Sequence, residues 1–200
     1  MQLRDQIVET ALVLFYKKGY HGVSISEIVK EANTSKGGFY HHFSSKEELL
    51  FVIHDIFITY ALEKTKAAEQ LHENPVEKLK AIVKAHIKVF DLYKPHLTVF
   101  YQESNYLRKE DRQIIKQKRD TFKRIILDVI QLGKDKKIFR EEISTEITTM
   151  AILGMVNWVY QWYRKDGLYT IEEIGNYYVD FILAGVVPKN IPTHETIFKI

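Results

Sequence analysis

The chain contains no cysteine among its 200 residues. That excludes disulfide staples and thiolate chemistry, and it fits a reducing compartment. Proline and glycine are scarce, four and nine, so each break between elements carries information. No apolar run approaches the roughly 18 residues of a membrane span. Met1 leads into Gln2, Leu3, Arg4 and Asp5 rather than an apolar leader. The expectation is therefore a cytoplasmic protein, neither exported nor membrane-bound. Period-two alternation is missing as well, so no strand is expected, and no repeat recurs. Surplus charge is small, +3 in total. Over residues 1–50, Arg4, Lys17, Lys18, Lys30, Lys36 and Lys46 balance Asp5, Glu9, Glu27, Glu31, Glu47 and Glu48. Nucleic-acid binding cannot be argued from bulk charge.

What the chain has is helical periodicity and helix punctuation. Apolar residues make up 46%, enough for real cores and too many for disorder. Ile7, Ala11, Leu12, Leu14 and Phe15 recur at helical spacing over 4–18, closed by Lys17, Lys18 and Gly19. A long helix runs from Lys46 to about Leu71, with no flexible linker between the first 50 residues and the rest. Asn74 and Pro75 open a helix that stops near Pro95. Further helices are read over His96 to Tyr106, Glu110 to Leu132, Glu146 to Arg164, and from Thr170 to about Val187. A basic turn follows Gly133. The expected fold is all-α with about nine helices. Its expected domains are 1–50, 51–187 and a loose tail from 188 to 200 that Ile197 and Phe198 could dock.

The most informative stretch is Val23 to Phe43. Ser24 with Glu27 three residues on reads as a capping box, and Ile25, Ile28, Val29 and Ala32 share a face. Asn33 can take the left-handed turn that ends this helix. Ser35 caps a second helix, and Ser45 with Glu48 repeats the device for a third. Three helix starts so close together make a helix-turn-helix rhythm. Gly37 and Gly38 each cost about 1 kcal/mol in a helix interior, a cost that suits close approach to another molecule. Phe39 and Phe43 lie four apart as anchors, while Lys36, Tyr40 and His41 are left to point outward. Hydroxyl, imidazole and ammonium donors around a bare helix start suit phosphate oxygens and the major groove. Free backbone N–H groups at the starts behind Ser35 and Ser45 suit anions.

The residues from Gly19 to Leu50 resemble the DNA-binding domain of the TetR family of repressors. That resemblance implies an all-helical homodimer bound to double-stranded DNA at a palindromic operator, released when a hydrophobic small-molecule effector enters the C-terminal domain. It implies phosphate contacts from Thr34, Ser35, Tyr40 and Lys46. Lys36, Gly37, Gly38 and His41 would face the groove, with Ser24 and Ser26 near the adjoining backbone. Asn33 replaces a usual glycine and His42 a frequent aromatic, departures that bear on operator sequence.

Residues 101–140 hold the surplus charge. Arg112, Lys116, Arg119 and Lys123 fall at steps of four, three and four, one narrow stripe of a helix. Ile115, Phe122, Ile126 and Val129 take the adjoining face. Such a stripe suits a ligand with a phosphate-bearing head and an apolar tail; a solvated basic face beside ordinary core is the plainer alternative. Gly154 through Gly167 and Tyr169 through Ile174 resemble the C-terminal domain of the TetR branch that includes acyl-CoA-responsive regulators of fatty-acid degradation. This implies a long-chain acyl-CoA effector, with Tyr101, Arg108, Arg112, Lys116, Arg119, Phe122, Lys123, Ile126 and Trp162 as candidate contacts. It also implies a four-helix dimer interface built on Gly154, Trp158, Tyr177 and Phe181. A regulator answering a drug or another hydrophobic metabolite stays open, as does a helical acyl-CoA-binding enzyme or carrier without DNA function.

Other constellations point nowhere catalytic. His41 and His42 diverge on a helix, and His86 and His96 have no carboxylate at metal-ligand spacing, so no metal site is expected. Ser35 to Gly38 lacks the strand and the Gly-Lys-Ser/Thr ending of a phosphate loop. With no nucleophile–base grouping, the expectation is a protein that is not an enzyme and carries no cofactor.

Overall fold

Short polar side chains fix where six of the helices begin. In the computed structural model, which describes residues 2–188, Ser24, Ser35, Ser45, Asn74, Ser144 and Thr170 each accept a backbone N–H from the turn they open. Each such cap contributes about 1 kcal/mol over alanine. The reciprocal half of the box forms only at Thr170, whose N–H meets Glu173 Oε2 at 2.8 Å. At the two earlier starts the glutamate serves elsewhere, a correction to the capping-box reading. Glu27 pairs with Lys18, and Glu48 takes the Ser44 N–H and hydroxyl at 2.7 and 2.6 Å.

The helices are α1 (Leu3–Lys18), α2 (Ile25–Glu31), α3 (Lys36–His42), α4 (Lys46–Gln70), α5 (Pro75–Leu92), α6 (Lys94–Glu103), α7 (Lys109–Asp135), α8 (Thr145–Trp162) and α9 (Ile171–Val186). A 3-10 turn, Ser104–Tyr106, follows α6. Among the described residues there is no strand. Gly19 at φ 71° and Asn33 at φ 53° turn the chain after α1 and α2, conformations that glycine and asparagine reach at least cost. α7 outruns its expected end at Leu132 because Gly133 continues the helix. A Cβ there would stand 2.0 Å from the Phe139 ring, which lies over the bare Cα.

Helices α1–α3 close around Ile7, Phe15, Ile28, Phe39 and Phe43, and the first turns of α4 complete that core through Leu49, Leu50 and Ile53. α4 then continues into the second half, where α5 is central and packs against α4, α7, α8 and α9. The apolar core is continuous from α1 to α9, so nothing apolar is left to separate the halves mechanically. The expected loose tail lies, for residues 189–200, outside the described residues. No described helix is long and apolar enough to cross a membrane.

Two histidines are buried in this core. His54 Nδ1 meets the Leu50 carbonyl at 2.9 Å, and His86 Nε2 meets Asn157 Oδ1 at 2.9 Å. Loss of hydration holds both imidazoles neutral, with pKa values down to about 4. Unfolded chains take up those protons near pH 6.5, so unfolding binds protons and stability is lost as pH falls from about 6.5 toward 4. Urea unfolding at pH 5 should show about 2 kcal/mol less stability per buried histidine than at pH 7.5. Equal stabilities at the two pH values would contradict neutral, buried rings.

Candidate DNA-binding face and ligand cavity

α3 is held by its two phenylalanines and leaves the opposite side bare. Phe39 and Phe43 are fully buried, whereas Lys36, Gly37, Tyr40 and His41 are exposed, Tyr40 by 54%. Ser24, Ser26 and Ser35 are exposed and Thr34 half-buried, all beside this surface. The two glycines do different work. A Cβ on Gly37 would meet only Ser35 Oγ at 3.6 Å, so its backbone is open to an approaching molecule. One on Gly38 would stand 2.4 Å from Thr34 Oγ1 and 3.5 Å from Leu3, so that glycine lets α3 seat against its own turn.

Lys46, an expected phosphate contact, has two of its three N–H donors committed within the protein. Its ammonium donates to the carbonyls of Tyr20 and Val23 at 2.9 and 2.8 Å and sits 4.1 Å above the Tyr20 ring. Burial lowers its pKa, with Glu47 and Glu103 opposing that shift. The lysine binds the α1–α2 loop to the start of α4, because the helix cap at Ser45 aims its side chain back over that loop.

The second half encloses a cavity of about 670 Å³, within the usual range for small-molecule sites. Phe57, Ile58 and Ala61 of α4, Phe90 of α5, Phe100 of α6, Leu107, and Ile115 and Phe122 of α7 make it apolar and aromatic. Tyr101, stacked on Tyr160 at 4.3 Å, joins the wall. At the rim stand Arg112, Lys116, Arg119 and Lys123, all exposed, with Asp120 among them. Lys116, Arg119 and Lys123 have no hydrogen-bond or salt-bridge partner among the described residues. Arg112 is committed, donating to the carbonyls of Asn105 and Leu107 at 2.8 and 3.2 Å.

Six of the nine expected ligand contacts therefore converge on one cavity, and three do not. Arg108 is taken up by Asp111, Nε to Oδ2 2.6 Å, and lies outside the lining. Ile126 is buried in the core one turn beyond Phe122. Trp162 is exposed near the end of α8 rather than in the cavity. Sequence reasoning missed His86 and Asn157, which form a hydrogen-bonded pair in the wall, and Ser104 and Asn105 of the 3-10 turn. Asn157 was legible as a polar residue set between Val156 and Trp158 in an apolar helix.

The 3-10 turn joins the cavity to the DNA-binding half. Ser104 and Asn105 line the cavity, while Tyr106 stacks on Tyr20 at 5.5 Å and meets His21 edge-on at 4.1 Å. The buried Glu103 carboxylate accepts the Tyr20 N–H at 3.2 Å. Ile147, Met150 and Trp158 of α8 and Tyr177 and Phe181 of α9 are exposed, Trp158 by 62% and Phe181 by 69%, and Met150 also lines the cavity. Gly154 both lines the cavity and lies bare beside that apolar surface, with nothing within 4 Å of its Cβ position.

A bare-backed second helix on a three-helix unit, rigidly joined to a helical body with a ligand-sized cavity, defines a helix-turn-helix regulator rather than an enzyme. Residues 7–53 match the model of bacterial regulatory proteins of the tetR family, and residues 72–186 match the tetracyclin repressor-like C-terminal domain. The chain belongs to the TetR family of DNA-binding transcriptional regulators. It is similar to the HTH-type transcriptional repressor KstR2 of Mycobacterium tuberculosis, 23% identical over 190 residues that cover 94% of each chain. It is also similar to the fatty acid metabolism regulator protein of Bacillus subtilis, 24% identical over 92% of this chain and 95% of that one. Among solved structures, AibR in complex with isovaleryl coenzyme A and operator DNA superposes with a TM-score of 0.81 at 28% identity, covering 90% of this chain and 97% of that one.

Gly37→Ala separates folding from DNA contact. The added methyl fits the fold, so the melting temperature should hold or rise slightly. Affinity for operator DNA, measured by fluorescence anisotropy, should fall at least about tenfold if the backbone at 37 meets the duplex; unchanged affinity would remove Gly37 from the contact surface.

Proposed function

We propose that the protein is a dimeric repressor released from a palindromic operator by an acyl-CoA. The observation that carries this reading is the set of unpaired cations, Lys116, Arg119 and Lys123, at the rim of an aromatic cavity. Phosphates bind outside on ammonium and guanidinium groups, while an acyl chain buries itself among Phe57, Phe90, Phe100 and Phe122. A long-chain acyl-CoA is the first candidate. The isovaleryl coenzyme A named with AibR and the fatty-acid name of the Bacillus relative support the ligand class.

Release follows two routes through the chain. α4 is one continuous helix that carries Leu49 and Leu50 in the DNA-binding core and Phe57, Ile58 and Ala61 in the cavity wall. The 3-10 turn is the other. Arg112 grips its carbonyls, so phosphates that draw Arg112 outward loosen the turn and shift Tyr106 and Glu103 against the α1–α2 loop. In a dimer held by α8 and α9, that shift changes the spacing of two α3 helices that must match about 34–36 Å of duplex. A coupling of about 1–3 kcal/mol changes occupancy some 5- to 150-fold.

A mobility-shift titration tests the reading. Long-chain acyl-CoA should release palindromic DNA and the free fatty acid should not, and Lys116→Ala with Arg119→Ala should raise the acyl-CoA needed by about tenfold. Release by an uncharged hydrophobic compound, with none by any acyl-CoA, would reassign the effector. Glu103→Gln should leave acyl-CoA affinity unchanged while shifting the concentration that releases DNA; identical curves would remove the 3-10 route. Phe181→Glu should convert the dimer to a monomer in sedimentation velocity and abolish operator binding, because a buried interface carboxylate has no partner there.

A further inference from the structure

The inner wall of the cavity is not uniformly apolar. His86 lies between the rings of Phe90 and Phe122, at 5.1 and 4.4 Å, and is buried on α5. Its Nε2 meets Asn157 Oδ1 at 2.9 Å, and both residues line the cavity. The His86 ring has no second partner, and the Asn157 amide takes no other hydrogen bond among the described residues. Whichever group donates in this contact, the pair keeps an N–H without a partner: on Asn157 if the imidazole donates, on His86 if the amide does. An aromatic cage for a plain hydrocarbon needs no such pair, since an unpaired N–H is costly to dry out.

We propose that His86 and Asn157 read an oxygen on the buried acyl chain, so that the preferred effector is an oxo- or hydroxyacyl thioester rather than a saturated one. This rests on the acyl-CoA reading and deepens it. The polarity of the site sets the direction of the ligand. Cations at the exposed rim hold the phosphates, and the buried His86, between Phe90 and Phe122, brings half-buried Asn157 to the apolar wall, so the acyl chain is the part that meets the pair. A saturated chain displaces water from the Asn157 amide and gives nothing back. A carbonyl or hydroxyl oxygen at the same depth accepts the spare N–H. Such discrimination by unpaired polar groups exceeds what one methylene of apolar packing supplies.

Calorimetric titration of the full chain with four ligands of equal length tests this: dodecanoyl-CoA and its 3-oxo, 3-hydroxy and 12-hydroxy derivatives. At least one oxygenated form should bind about tenfold or more tightly than dodecanoyl-CoA. Asn157→Leu should bring the ratio to within about twofold, mainly by improving the saturated ligand. Asn157→Asp keeps an acceptor for His86 but replaces the amide donor with an oxygen that repels a carbonyl, so it should turn the preference against the 3-oxo form while a hydroxyl, which can donate, is still accepted; its thermal melt reports whether the fold is kept. Dodecanoyl-CoA binding as tightly as all three derivatives overturns this inference and leaves the acyl-CoA reading standing. A ratio that survives Asn157→Leu, or a 3-oxo preference that survives Asn157→Asp, overturns it as well. Binding by none of the four overturns both.

Discussion

Of the two connections between the cavity wall and the DNA-binding half, the one held by polar contacts is one small loop, Gly19 to Val23, gripped from two sides. Lys46 holds the carbonyls of Tyr20 and Val23 from the α4 side, and Glu103 holds the Tyr20 N–H from the α6 side. A cation and an anion thus clamp opposite faces of the same few peptide groups. Removing one member of a buried polar set leaves the others unsatisfied, at a cost of about 1–3 kcal/mol. That is the scale of an allosteric coupling. Were the halves joined by a flexible linker instead, occupancy of the cavity could not set the attitude of α3.

The cavity is built on the same economy. α7 supplies both its cationic rim and, a turn away on the next face, Ile115 and Phe122 of its wall. One helix therefore supplies both the charge at the rim and the apolar surface of the wall. Arg112, the rim residue nearest the 3-10 turn, is already bound to that turn. The remaining three cations have nothing to lose on meeting phosphate. Arg112 does, since meeting an anion would cost it the carbonyls of Asn105 and Leu107.

Helix order and the DNA-binding unit were legible because they depend on local signals. Ser24, Ser35, Ser45, Asn74, Ser144 and Thr170 act within their own first turns, and Gly19 and Asn33 within their own peptide units. The stripe on α7 was equally visible, since helical period alone places Arg112, Lys116, Arg119 and Lys123 together. What could not be read was which distant groups would claim a side chain. Lys46 looked free until the α1–α2 loop folded under it, and Arg108 until Asp111 turned toward it. Ile126 shares its helix with Phe122 but meets core rather than cavity. Asn157 and His86 are 71 residues apart, and only the packing of α5 against α8 makes them a pair. The reciprocal caps at Ser24 and Ser45 gave way to other partners: Glu27 pairs with Lys18, and Glu48 takes the N–H and hydroxyl of Ser44 instead of the N–H of Ser45.

The engagement of Lys46 also reaches into solution conditions. With two of that ammonium's three N–H donors committed, the exposed cation on α3 itself is Lys36, and hydroxyls and peptide N–H groups lie around it. Neutral donors grip phosphate without displacing condensed counterions, whereas each neutralising cation adds close to one unit to the logarithmic salt slope. A face with few cations has few counterions to release, and a first half whose charges balance exerts little of the long-range electrostatic pull that speeds a strongly basic protein to DNA.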